Sequence, residues 1–137
     1  MKAYRVLSSK YNPIVIEGAG SISEINLWGK DIVNMRVALE TQAAAFLVAD
    51  IDKGGVFASV YGTVLLLPQA ERDAIKGIII NKFRGDINLF EEGKRKLESL
   101  TGKPVAGVIP YFSDVFIEQE DGVMLEKKLS GFSPSEI

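Results

Sequence analysis

FLVADIDKGG, residues 46–55, is the stretch on which the fold turns. An apolar run ends in Asp50 and Asp52, and then in Gly54 and Gly55. The run does not alternate polar and apolar residues, which suits a strand buried on both faces in a parallel sheet. The acids then fall at the strand's carboxyl end, where open parallel sheets bind ligands. The paired glycines give the chain a sharp turn into GVFASVYGTVLLL, residues 55–67, a run of helical length. IVIEGAGS, residues 14–21, repeats the plan: apolar run, Glu17, then Gly18 and Gly20.

Working outward, strands are expected at Pro13–Glu17, Ala45–Asp50, Gly77–Asn81 and Val105–Pro110. Helical patterns lie between them. Residues 31–43 carry Ile32, Met35 and Leu39 on one stripe. Residues 55–67 are apolar nearly all round and predict a buried helix ended by Pro68. QAERDAIKG, residues 69–77, predicts a short polar helix closed by Gly77. In residues 88–104 Asn88 caps a helix and Leu97 and Leu100 face inward. Glu91 with Arg95 and Glu92 with Lys96 stand at i,i+4 spacing there, and Gly102 and Pro104 stop the helix. Strand–helix alternation implies an α/β domain with a mostly parallel sheet flanked by helices. That domain is expected over residues 1–112, with an edge element and linker over 113–137.

Composition narrows the chemistry. With 137 residues, 47% hydrophobic and 25% charged, the chain is long enough for one domain with a real core. A net charge of -2 gives no footprint for nucleic acid, and no apolar run is long enough to span a membrane. The first residues lack the apolar centre of a signal peptide, so a cytoplasmic protein is expected. The chain has no Cys and no His, which removes thiol and Ser-His-Asp catalysis and almost every zinc site. Carboxylates, Lys, Arg, hydroxyls, backbone amides and a hard cation remain.

At the strand ends two readings stand side by side. Glu17, Asp50 and Asp52 are either solvated acids or groups that face a phosphate with Mg²⁺, whose hard oxygen ligands include carboxylate, phosphate and water. Gly18, Gly20, Gly54 and Gly55 either make turns or bring the backbone close to a ligand. Asp31 either caps its helix or is a carboxylate aimed into the crevice. Asn81 is either a turn residue or a partner for an adenine edge, and Lys82 and Arg84 are surface charge or phosphate partners.

VIEGAGSISEINLWGKDIVNM (15–35), LVADIDKGGVFASVYGT (47–63), GIIINKFRGD (77–86) and TGKPVAGVIPY (101–111) resemble consecutive motifs of the cobyric acid synthase family. The resemblance runs from about Tyr11 to Lys128. It implies a glutamine-dependent amide ligase of cobalamin biosynthesis. Such an enzyme amidates side-chain carboxylates of adenosylcobyrinic acid a,c-diamide with ATP, through acyl phosphates, using glutamine-derived ammonia. The implied fold is P-loop NTPase-like, similar to dethiobiotin synthetase. By position, Glu17 matches an acid expected to hold Mg²⁺, and Asp31 an acid near the activated carboxylate. Asp50 and Asp52 match the paired acids of the next strand end, and Asn81 an asparagine against adenine.

The sequence departs from the family pattern in places. No Gly-Lys-Ser or Gly-Lys-Thr loop occurs, and a Cys-His-Glu glutaminase triad is impossible without Cys or His. Ile22-Ser23 stands where Pro-Ala is expected, and Arg36 where glycine is. The chain therefore reads as the middle of a longer enzyme, lacking a P-loop strand and a glutaminase domain. That strand would lie between the strands ending at Glu17 and Asp50. Without it the carboxylates alone would repel ATP, so the isolated chain is expected to be inactive. Its open strand edges are expected to pair, within the chain or in a homodimer. A partitioning or regulatory ATPase module of the P-loop class and a non-catalytic α/β module are the alternatives.

Overall fold

A computed structural model describes residues 1–27 and 32–113. Its centre is a three-stranded, wholly parallel sheet in the order β1 (Ala45–Asp50), β2 (Ile75–Phe83), β3 (Val105–Pro110). Five α-helices accompany it: α1 (Lys2–Ser8), α2 (Met35–Thr41), α3 (Val56–Leu66), α4 (Gln69–Ala74) and α5 (Glu91–Thr101). α3 and α4 link β1 to β2, and α5 links β2 to β3, as parallel pairing requires. The α/β class with helices flanking a parallel sheet is the one the sequence implies.

The apolar runs explain the core. Ile78 and Ile80 of the central strand are fully buried with Ala49, Val105, Phe90, Leu97, Val56 and Val60. A smaller cluster joins Met35, Leu67 and Ile75. α3 is not buried all round as its composition suggested. Val56, Val60 and Val64 form the buried stripe, while Phe57, Tyr61, Leu65 and Leu66 are exposed, because the helix packs along one side only. The same one-sidedness corrects the reading of β1 as buried on both faces: Phe46 is 50% and Val48 57% exposed. α2 begins only at Met35, which is buried; Leu39 on it and Ile32 before it are exposed and do not extend a buried stripe.

Three local expectations change. Residues 13–17 form no strand, and Val15 is 91% exposed, so this apolar run joins neither the sheet nor the core. Gly77 does not close α4; the chain passes straight into β2 at Ile75. Gly77 lies inside β2 because a Cβ there would stand 3.2 Å from the Phe46 ring and 3.1 Å from the Ala106 methyl. Asn88 does not cap α5: Phe90 stands at its N-cap with no side-chain hydrogen bond, and Asp86 caps the preceding 3-10 turn Ile87–Phe90, its carboxylate accepting from the Asn88 N–H at 2.9 Å. Leu97 is fully buried but Leu100 is 42% exposed. Among the described residues, Glu91 and Glu92 form no ion pair with Arg95 or Lys96. Gly102 does end α5, in the left-handed conformation at φ 65°. Of the edge element and linker expected over 113–137, residues 114–137 lie outside the described residues.

Candidate functional site at the carboxyl edge of the sheet

The register β1–β2 sets Asp50 beside Asn81 at the carboxyl ends of both strands. Asp50 Oδ2 accepts from Lys82 Nζ at 2.8 Å, and its Oδ1 accepts from the Asp52 N–H at 3.0 Å. Asp52 Oδ1 in turn accepts from Arg84 Nε at 2.8 Å. Two acids from the β1 end are thus matched to two cations from the β2 end. The hydrogen bond from Lys82, ahead of smaller contributions, holds the Asp50 carboxyl below its ordinary value. The same bond raises Lys82, and the bond that Arg84 donates to Asp52 raises Arg84.

Lys82 adopts φ 61°, the left-handed region that a residue with a Cβ enters at a cost of about 1–2 kcal/mol. Asn81 Oδ1 accepts from its N–H at 2.9 Å, and the ion pair to Asp50 fixes its head, so this conformation is held from both ends. Arg84 is fixed further by Tyr111, whose ring lies 3.4 Å beneath the guanidinium. The Tyr111 N–H donates to the Phe83 carbonyl at 2.8 Å, which brings the residue after β3 to the end of β2. Gly54 and Gly55, at φ 77° and 67°, carry the chain from this edge into α3. Tyr111 escaped the sequence reading; its place directly after a strand-ending proline is the signal that marks it.

The second glycine turn is held separately. Asn34 Oδ1 accepts from the Ala19 N–H at 3.0 Å, and Asn34 Nδ2 donates to the Ala19 carbonyl at 2.7 Å. A Cβ at Gly18 would collide with the Asn34 carboxamide, so glycine is required there by close approach. Gly20 follows in the left-handed region at φ 69°. No hydrogen bond or ion pair joins this turn to the Asp50–Arg84 cluster among the described residues. Asp31 lies outside the described residues.

The donor set bears on Mg²⁺. No group of three or more acids gathers among the described residues. Asp50 and Asp52 are engaged by cations, whereas Glu17 forms no ion pair among the described residues. One free carboxylate beside a glycine turn suits an ion that completes its shell with phosphate and water.

Residues 1–119 match the family described as AAA domain. The chain belongs to the AAA domain family. This P-loop NTPase-like domain agrees with a parallel sheet whose polar residues collect at the carboxyl edge. The chain is 57% identical over 137 residues to a cobyric acid synthase of Parabacteroides distasonis, covering 100% of this chain and 28% of that protein. Against a cobyric acid synthase of Bacteroides fragilis the identity is 61% over 126 residues, or 92% of this chain and 26% of that protein. With one from Salmonella gallinarum it is 54% over 138 residues, or 100% of this chain and 27% of that protein. The likeness to cobyric acid synthases read from the motif blocks is therefore real. The chain spans about a quarter of the length of the curated relatives it matches. No solved structure matches it. No described helix is long and apolar enough to cross a membrane.

Proposed function

We propose that this chain forms part of the ATP-handling domain of a glutamine-dependent amide ligase that makes cobyric acid in cobalamin biosynthesis. The observation that carries the reading is the Asp50–Lys82 and Asp52–Arg84 pairing at the carboxyl edge of the sheet, within an AAA domain. In the reaction, an oxygen of a corrinoid side-chain carboxylate attacks the γ-phosphorus of ATP, and ADP leaves with the bridging electron pair. Ammonia from glutamine then attacks the acyl phosphate carbon, and phosphate leaves to give the amide. An ATP- and glutamine-fed reaction of this kind belongs in the cytoplasm.

Lys82 and Arg84 are suited to balance phosphate charge because Asp50 and Asp52 already hold their heads in place. Asp50 and Asp52 thereby act by positioning cations; they are not bare carboxylates that would repel ATP. Asn81 spends its Oδ1 on the Lys82 N–H, which leaves its Nδ2 to donate to a base edge. Gly54 and Gly55 let the backbone approach a phosphate ahead of α3, and Gly18 and Gly20 do so at the other turn. Glu17 is the residue that would hold Mg²⁺, which when bound would offset phosphate charge. Asp31 is assigned to the neighbourhood of the activated carboxylate. A P-loop segment and a glutaminase domain are the partners this chemistry requires.

A segment exchange tests the reading. The chain replaces the matching region of the Bacteroides fragilis cobyric acid synthase, and ATP- and glutamine-dependent amidation of adenosylcobyrinic acid a,c-diamide is measured. Retained amidation, lost on Lys82→Met, is the expected result. A folded chimera without amidation would leave the chain a non-catalytic α/β module.

A further inference from the structure

A second polar site lies at the opposite, amino end of the sheet. A cavity of about 230 Å³ opens between the last turns of α3 and α5, α4 and the loop before β3. It shares no residue with the carboxyl-edge cluster. Its volume is below the roughly 300–1,000 Å³ of pockets that enclose drug-sized ligands, so its occupant is small.

The lining is rich in donors. Arg72 Nε is buried, and no group among the described residues accepts its hydrogen. Arg72 forms no ion pair among the described residues. Its backbone is fixed, because its N–H donates to the Pro68 carbonyl at 3.0 Å and its own carbonyl accepts from Lys103 Nζ at 2.6 Å. That contact anchors a second cation on the wall and uses one of the three ammonium hydrogens. Tyr61 also lines the cavity. Asp73 is the acid of the lining, and its Oδ1 is taken by Gln69 Nε2 at 2.8 Å. Two cations against one acid, with donors left over, call for an occupant that is negative and rich in acceptors. A guanidinium fork matches the paired oxygens of a phosphate or a carboxylate.

We infer that this cavity binds a small oxyanion between Arg72 and Lys103. Inorganic phosphate and a small carboxylate present the same paired oxygens. The site is independent of the proposed ligase activity.

The test uses the 137-residue chain labelled with ¹⁵N. Sodium phosphate and sodium acetate are titrated separately at neutral pH, each against sodium chloride at matched ionic strength. The Arg72 Nε–H and Lys103 amide resonances are followed. Saturable shifts with phosphate, acetate or both, absent with chloride, are expected, and the anion that binds identifies the source. Arg72→Met and Lys103→Met should each weaken binding roughly tenfold or more, the size of one charge-assisted hydrogen bond. Lys96→Met, on the exposed side of α5, should leave it unchanged. Shifts that follow chloride, or a folded Arg72→Met protein with undiminished affinity, would overturn the inference. If Arg72→Met loses its dispersed spectrum, Lys103→Met decides, and undiminished affinity there overturns it equally.

Discussion

Glu17 and Asp50 were both expected at strand ends, but only Asp50 ends a strand. Glu17 is exposed and unpaired among the described residues, and Glu17→Gln removes its charge while keeping its shape. In the segment-exchange enzyme, at saturating Mg²⁺, this change should lower amidation by about a hundredfold or more with the fold intact. Near-normal turnover would remove Glu17 from the phosphate site. Asp50 is instead tied to Lys82, and the pair predicts a pH dependence. The Asp50 carboxyl lies below its ordinary value of 3.8, so folding favours its charged form. Its contribution is complete above that value and is lost as pH falls through the lowered one. Lys82 lies above its ordinary 10.5, so its contribution is complete below that value and is lost as pH rises through the raised one. Asp50→Asn should therefore destabilise the chain at neutral pH, and the difference should shrink under strong acid. Urea midpoints compared across pH check this; a gap that stays constant into strong acid would dissociate Asp50 stability from its charge.

Helix α5 carries the sharpest contrast at the scale of an element. Leu97 and Leu100 are three residues apart on an amphipathic pattern, and both were expected to face inward. Leu97 is fully buried against Ile78, Ile80 and Val105, while Leu100 sits near the end of the helix and is 42% exposed. Leu97→Ala should cost about 2–5 kcal/mol. Leu100→Ala should cost about 1 kcal/mol or less, as exposed substitutions do. Urea unfolding of both variants decides, and equal losses would mean that α5 sits rotated from its described packing. The helix end itself was readable, because Gly102 must adopt the left-handed conformation that stops the helix. The rotation was not, because Glu98 leaves the solvent face to accept from the Val105 N–H at 2.8 Å. That bond draws β3 onto α5, and sequence spacing does not announce it.

At the scale of the whole molecule, β1 is the edge strand that matters. It pairs with β2 on one side and with no described strand on the other. The run from Pro13 to Glu17, a candidate to close the sheet, lies outside it. This edge has backbone groups that no described strand pairs, with the exposed Phe46 and Val48 on the same strand, and such edges tend to pair with another chain. The chain should dimerise through the same edge of a second copy, and Val48→Lys should return it to monomer. Light scattering at high concentration checks this, and a stable monomer in the unsubstituted chain refutes it. The isolated chain should also turn over no ATP, since it has no Gly-Lys-Ser or Gly-Lys-Thr loop to wrap the phosphates. Clear Mg²⁺-dependent release of phosphate by the purified chain would contradict this.

The sequence by itself determined the α/β class, the strands at residues 45–50, 77–81 and 105–110, and the acids and glycines at the carboxyl end of β1. Continuous apolar runs, glycine turns and helix stops are local, and their physics acts over a few residues. The tertiary structure alone decided which strand ends meet. Asp50 with Lys82 and Asp52 with Arg84 are each 32 residues apart, and only the parallel register of β1 on β2 brings them within 2.8 Å. Tyr111 reached Arg84 the same way, through the pairing of β3 with β2. The tertiary structure also left residues 13–17 outside the sheet. Apolar content makes a strand possible, but a strand forms only where a neighbouring backbone accepts its hydrogen bonds.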